Sequence, residues 1–149
     1  MAHTYTRLLY HLVFSTKDRT PLLTPPWRGK MHAYLGGILR NLKGRAIEVG
    51  GVEDHVHLFI QLPPTITVSE AMNKLKSNSS RWINQQPDHV GKFAWQEGYA
   101  AFSVSDNRYD ETIQYIRNQE QHHAKRGFVE ELKEFLERNG LPFDERDLL

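Results

Sequence analysis

The sequence predicts an α+β fold, an antiparallel sheet dressed with helices, and three observations carry that reading. Short apolar and aromatic runs alternate with segments of helical periodicity, and a Gly50-Gly51 pair stands between two strand-like runs. At 149 residues with no cysteine, the chain has the length to bury one core without covalent staples.

Residues 7–15 (RLLYHLVFS) read as a first strand, followed by a polar loop punctuated by proline. From Trp27 to Leu42, the apolar residues Trp27, Met31, Tyr34, Leu35, Ile38 and Leu42 recur at helical spacing. Pro25 and Pro26 sit near the first turn, where a missing N–H costs least, and Gly44 ends the helix. Residues 45–52 and 54–62 read as a β-hairpin around Gly50-Gly51, closed by Pro63-Pro64. Thr67 or Ser69 caps a second helix that runs to about Gln86, with Val68, Met72, Leu75, Ser79 and Ile83 along one stripe. Residues 93–105 read as a β stretch bent at Gly98, with residues 99–104 as its second strand. Residues 109–125 form a third helix entered through Asp110 and Glu111, and Gly127 precedes an acidic amphipathic helix over about 129–138. The order β-α-β-β-α-β-α-α begins as the ferredoxin-like split β-α-β unit does, with helices on one face, and adds C-terminal helices. With no repeat and no linker, residues 1–149 read as one domain, a core of about 5–126 followed by an acidic helix and tail over 127–149.

The absence of cysteine excludes disulfide frameworks, thiol nucleophiles and thiolate-bound zinc. The N-terminal apolar run is far shorter than a membrane span, so a cytoplasmic protein with no membrane partner is expected. The net charge of +1 conceals an asymmetry: residues 1–126 carry 16 Lys and Arg against 11 Asp and Glu, and residues 127–149 carry 3 against 7. A basic body behind an acidic tail suits a phosphate-bearing partner.

His55-Val56-His57 lies in the second strand of the hairpin, where period-two alternation turns both imidazoles to one face, a geometry that suits a single metal ion. Val56, Leu58 and Ile60 face the other way, so the strand is expected to be half buried, with the histidines off the apolar core. In the third helix Tyr115 and Gln119 are i and i+4, hence on one face. By spacing alone Tyr115 is a packing residue and Gln119 a solvated one. As a nucleophile, Tyr115 needs a polarised phosphate or a base, since a phenol with a reference pKa of about 10 is protonated at neutral pH. His122, at i+7 from Tyr115, falls on nearly the same helical face, and Tyr109, at the helix start, is a second candidate nucleophile.

Taken together, YHLVFSTKDR, VEDHVHLFIQLPP, MNKLKSNSSRWIN, WQEGYAAFSVS and YIRNQEQHH give a chain that resembles the single-tyrosine HUH transposases of small bacterial insertion sequences, HUH denoting His-hydrophobic-His. The resemblance implies that His55, His57 and Gln119 hold a divalent cation, Mg²⁺ or Mn²⁺, although two imidazoles and an amide suit zinc, nickel or copper as well by softness. It implies that Tyr115 attacks single-stranded DNA, leaving a 3′-hydroxyl and a 5′-phosphotyrosine, with strand transfer as the reverse step and no nucleotide cofactor. Recognition of DNA hairpins and a homodimer follow from the same resemblance, and either the first strand or the 99–104 strand is expected to be an uncovered edge ready to pair across a two-fold axis. Candidate DNA contacts are Lys74, Lys76, Asn78, Ser79 and Arg81 in the second helix and Lys17 and Arg19 after the first strand. Two alternatives stand beside this reading: a non-catalytic module that binds single-stranded RNA or DNA, and a host-adopted relative acting on repeated palindromes.

Overall fold

Four strands form one antiparallel sheet because their alternating side chains supply two apolar faces. In the computed structural model, which describes residues 3–89 and 91–148, they are β1 (Leu8–Ser15), β2 (Arg45–Gly51), β3 (His55–Leu62) and β4 (Ala100–Ser103). The spatial order is β2-β3-β1-β4, the ferredoxin-like arrangement, so β1 and β3 are central and β2 and β4 are the edges. The expectation that the first strand is an edge is therefore corrected, because β1 pairs with β3 on one side and β4 on the other.

One face carries Leu12, Phe14, Val56, Leu58, Ile60 and Leu62, which pack against α1 (Pro25–Asn41) and α2 (Val68–Asn84). Helix α1 begins on its prolines as expected, and Thr67 caps α2 by accepting a hydrogen bond from the Glu70 N–H at 3.1 Å. The opposite face carries Leu9, Val13, Phe59 and Phe102. It is covered by α3 (Tyr109–Arg117), α4 (Gln119–His123) and α5 (Phe128–Arg138).

Three further expectations change. Both faces of β3 are covered, so His55 and His57 are fully buried and the strand is not half exposed. The hairpin turns after Gly51, at residues 52–54, and the strand after Gly98 is only four residues long. The single helix expected over residues 109–125 is two, because Asn118, a weak helix former, sits between α3 and α4 at φ −96°, ψ 21°. That break sets Gln119 on an element of its own, turned into the sheet.

Gly50 fixes how closely α3 approaches β2. A Cβ built there would lie 2.5 Å from the Ile116 carbonyl oxygen and 2.8 Å from its Cγ2, with Tyr115 the adjoining residue. Gly50→Ala is expected to displace α3 and destabilise the fold by about 1–3 kcal/mol, read as a lower denaturation midpoint.

Candidate active site

The site is built on the sheet face that α3, α4 and α5 cover. Residues 55 and 57 of β3 and residue 11 of β1 point the same way, and the β1–β3 register sets His57 opposite Val13 and His11 opposite Phe59. The two imidazoles are therefore diagonal neighbours, and His11 Nε2 lies 2.8 Å from His57 Nδ1. His55 Nδ1 lies 2.7 Å from the Asp54 carboxylate. Each strand histidine thus has Nδ1 engaged by a neighbour and directs Nε2 into one interior point, the arrangement by which outer partners orient metal-binding imidazoles.

At that point sits Glu131 of α5, only 1 % exposed. Its Oε1 lies 2.9 Å from His57 Nε2, 3.1 Å from His123 Nε2 and 3.4 Å from His55 Nε2. Its Oε2 accepts from Gln119 Nε2 at 3.0 Å and from the Tyr115 hydroxyl in a short hydrogen bond. Gln119 Oε1 in turn lies 3.1 Å from His55 Nε2. The break at Asn118 thus brings Tyr115 and Gln119 to the histidines from two helices.

Charge follows this geometry. Burial opposes a charge on His55, but its hydrogen bonds to Asp54 and Glu131 outweigh burial and push its pKa up to about 9. Burial dominates at His57, lowering it to about 4, and at His11, lowering it to about 3, so both are neutral imidazoles at pH 7. Burial would raise the Glu131 carboxyl, yet the hydrogen bonds from His123, His55 and His57 hold it well below the usual carboxylate range. Burial and then the hydrogen bond to Glu131 raise the Tyr115 phenol above its ordinary value, so it stands protonated.

This donor set fits one cation. The ligand atoms of His55, His57, His123 and Glu131 all lie within 4.8 Å of one another, and a buried carboxylate ringed by imidazole nitrogens is a donor set suited to a cation. His11→Phe keeps the volume beside His57 but removes the ring nitrogen that orients it. Divalent-cation affinity is expected to fall about 10–100-fold, measured by titration calorimetry.

The competing candidates separate in space. Tyr109 packs on Phe59, and its hydroxyl lies 3.5 Å from Arg45 instead of at the histidines. His122 stacks on the Tyr115 ring with centroids 4.7 Å apart, while its neighbour His123 reaches Glu131. Three residues of the cluster escape the sequence reading: His11, His123 and Glu131. The available signal for Glu131 is an acid at i+3 from Phe128 and i−4 from Phe135, on the apolar stripe of its helix.

A cleft between α3 and α5, lined by His11, Phe102, Arg108, Thr112, Tyr115 and Arg138 among others, opens beside the tyrosine. The expected DNA contacts lie elsewhere. Helix α2 is on the far face of the sheet, where Lys74 and Arg81 are exposed and Asn78 is partly so. Lys76 donates to the Gln96 and Gly98 carbonyls at 2.5 and 2.7 Å. Ser79 is corrected: it is fully buried, donates to the Leu75 carbonyl and accepts from the Trp95 indole, so its hydroxyl faces the core and not DNA. Lys17 is exposed and Arg19 partly so in the short 3₁₀ turn after β1.

The family described as "Transposase IS200 like" matches residues 4–119. The transposases for insertion sequence element IS200 of Salmonella typhimurium and Salmonella typhi are each 32 % identical over 116 residues, covering 72 % of this chain and 74 % of theirs. A putative transposase from Deinococcus radiodurans superposes with a TM-score of 0.60 at 25 % identity, over 80 % of this chain and 96 % of that one. A REP-associated tyrosine transposase, solved bound to a REP hairpin, superposes with a TM-score of 0.62 at 13 % identity, over 83 % of this chain and 73 % of its own, a likeness of fold. No described helix is long and apolar enough to cross a membrane.

Proposed function

The chain belongs to the IS200-like transposase family, and from that premise we propose that it cleaves and rejoins single-stranded DNA at hairpin-bearing element ends through a covalent 5′-phosphotyrosine. The observation that carries this reading is the meeting of Tyr115, the His55-Val56-His57 strand and Gln119 around one interior point. Tyr115 is the nucleophile. Its oxygen gives up the phenol proton and forms a bond to the scissile phosphorus, the bond from phosphorus to the 3′-oxygen breaks, and that oxygen takes up a proton and leaves as a 3′-hydroxyl, so the proton lost balances the proton gained. The ester energy is retained, so attack by another 3′-hydroxyl on the phosphotyrosine releases Tyr115 and joins the strands without a nucleotide cofactor.

His55, His57 and Gln119 would hold the divalent cation, Mg²⁺ or Mn²⁺. When bound, the cation neutralises charge on the scissile phosphate. The protein's own contribution is positional. Asp54 and His11 aim the two imidazoles, Gly50 sets the depth of α3, and Asn118 separates the tyrosine from the glutamine. Arg108 and Arg138 at the cleft beside Tyr115 suit the flanking phosphates, and Lys17, Arg19, Lys74, Asn78 and Arg81 suit more distant backbone of the same DNA. The REP hairpin held by the solved tyrosine transposase supports a DNA hairpin as the partner here. The outer side of the short edge strand β4 suits pairing with a second copy of the chain, expected as a dimer mass in light scattering.

Incubation with end-labelled single-stranded DNA from the flanks of the gene, with Mg²⁺ or Mn²⁺, tests the reading. The expected products are a fragment with a free 3′-hydroxyl and a fragment bound to protein that survives denaturing electrophoresis. Binding of the same strands without cleavage would favour the non-catalytic module instead.

A further inference from the structure

Glu131 is an unusual residue to bury. It sits between Phe128 and Phe135 on the apolar stripe of α5 at 1 % exposure, and among the described residues its partners are imidazoles, an amide and a phenol, with no lysine or arginine. A desolvated carboxylate is costly unless positive charge faces it, and here only imidazoles, His55 among them, are placed to supply it. Three imidazole nitrogens crowd its Oε1 at 2.9, 3.1 and 3.4 Å. These are hydrogen-bond and ion-pair separations, and they lie close to the roughly 3.0–3.4 Å at which donors each about 2.1 Å from one ion stand, so small shifts of the rings would close the set on an ion.

Both His123 and Glu131 lie beyond residues 4–119, the part of the chain that the family matches. We propose that Glu131 Oε1 and His123 Nε2 join His55, His57 and Gln119 as ligands of the cation, and that this imidazole-rich set selects Mn²⁺ over Mg²⁺. The inference rests on the metal-dependent reading above and gives the acidic C-terminal helix its role. Imidazole donors favour transition ions, whereas Mg²⁺ demands oxygen ligands and holds its waters. The second carboxylate oxygen remains on the Tyr115 hydroxyl and the Gln119 amide, so one side chain both ligates the ion and positions the nucleophile beside it.

The test is cation binding by the metal-free full chain, followed by titration calorimetry and by the electron paramagnetic resonance of Mn²⁺, for the parent, Glu131→Gln, Glu131→Ala and His123→Ala. Circular dichroism checks the fold of each, and Glu131→Gln, which keeps the shape, is read alone if Glu131→Ala does not fold. One Mn²⁺ per chain is expected, bound at least about tenfold more tightly than Mg²⁺, with at least about a tenfold loss in Glu131→Gln and in His123→Ala. Parent-like Mn²⁺ affinity in the Glu131 variants overturns the inference and leaves the metal-dependent reading intact. A parent chain that binds neither ion overturns both.

Discussion

Tyr115→Phe is expected to abolish the covalent protein–DNA adduct while the protein still binds the strand. The substitution removes one oxygen, the atom that would bond phosphorus, and leaves the ring stacked on His122. Its structural cost is modest, because Glu131 keeps Gln119, His57 and His123 as partners when the phenol is lost. One hydrogen bond to a charged carboxylate contributes about 1.5–3 kcal/mol, so the denaturation midpoint should fall modestly while the protein stays folded and adduct formation falls below detection. An adduct of parent yield in this variant would assign the nucleophile elsewhere.

Chelation of divalent ions, or His57→Ala, is the second large effect. A metal that neutralises the scissile phosphate contributes several kcal/mol, which corresponds to a loss of roughly 10²–10⁴ in the cleavage rate. The two treatments differ in reversibility. Added Mn²⁺ should restore cleavage to the chelated parent and should not restore it to His57→Ala, which has lost the imidazole nitrogen 2.9 Å from Glu131. Quenched time courses on a labelled strand give both rates, and undiminished cleavage in excess chelator would remove the cation from the reaction.

Much of this is legible in the sequence because local patterns suffice. Helical spacing from Trp27 to Leu42, the Thr67 cap and the strand alternation around His55 and His57 each report on neighbours in the chain, and each reappears in the structure. What escapes depends on contacts distant along the chain. The sequence sets His55 and His57 off the core because nothing in β3 announces that α3 to α5 cover its second face. His11 reaches His57 through a strand register 46 residues apart, and Glu131 reaches it across 74. An unbroken helix would place Gln119 beside Tyr115, yet the break at Asn118 and the approach of α4 to the sheet bring it to His55. Ser79 lies on the apolar stripe of α2 in the sequence, and its burial against Trp95 follows from that stripe more directly than a role at DNA does.

Whether Tyr115 bonds to DNA is decided by digesting the denatured adduct with nuclease and protease and locating the residual nucleotide by mass spectrometry. A nucleotide joined through its 5′-phosphate to Tyr115, in the peptide that continues into Gln119, is the expected result. A nucleotide on Tyr109, or on any other residue, would show that the phosphotyrosine assignment is wrong.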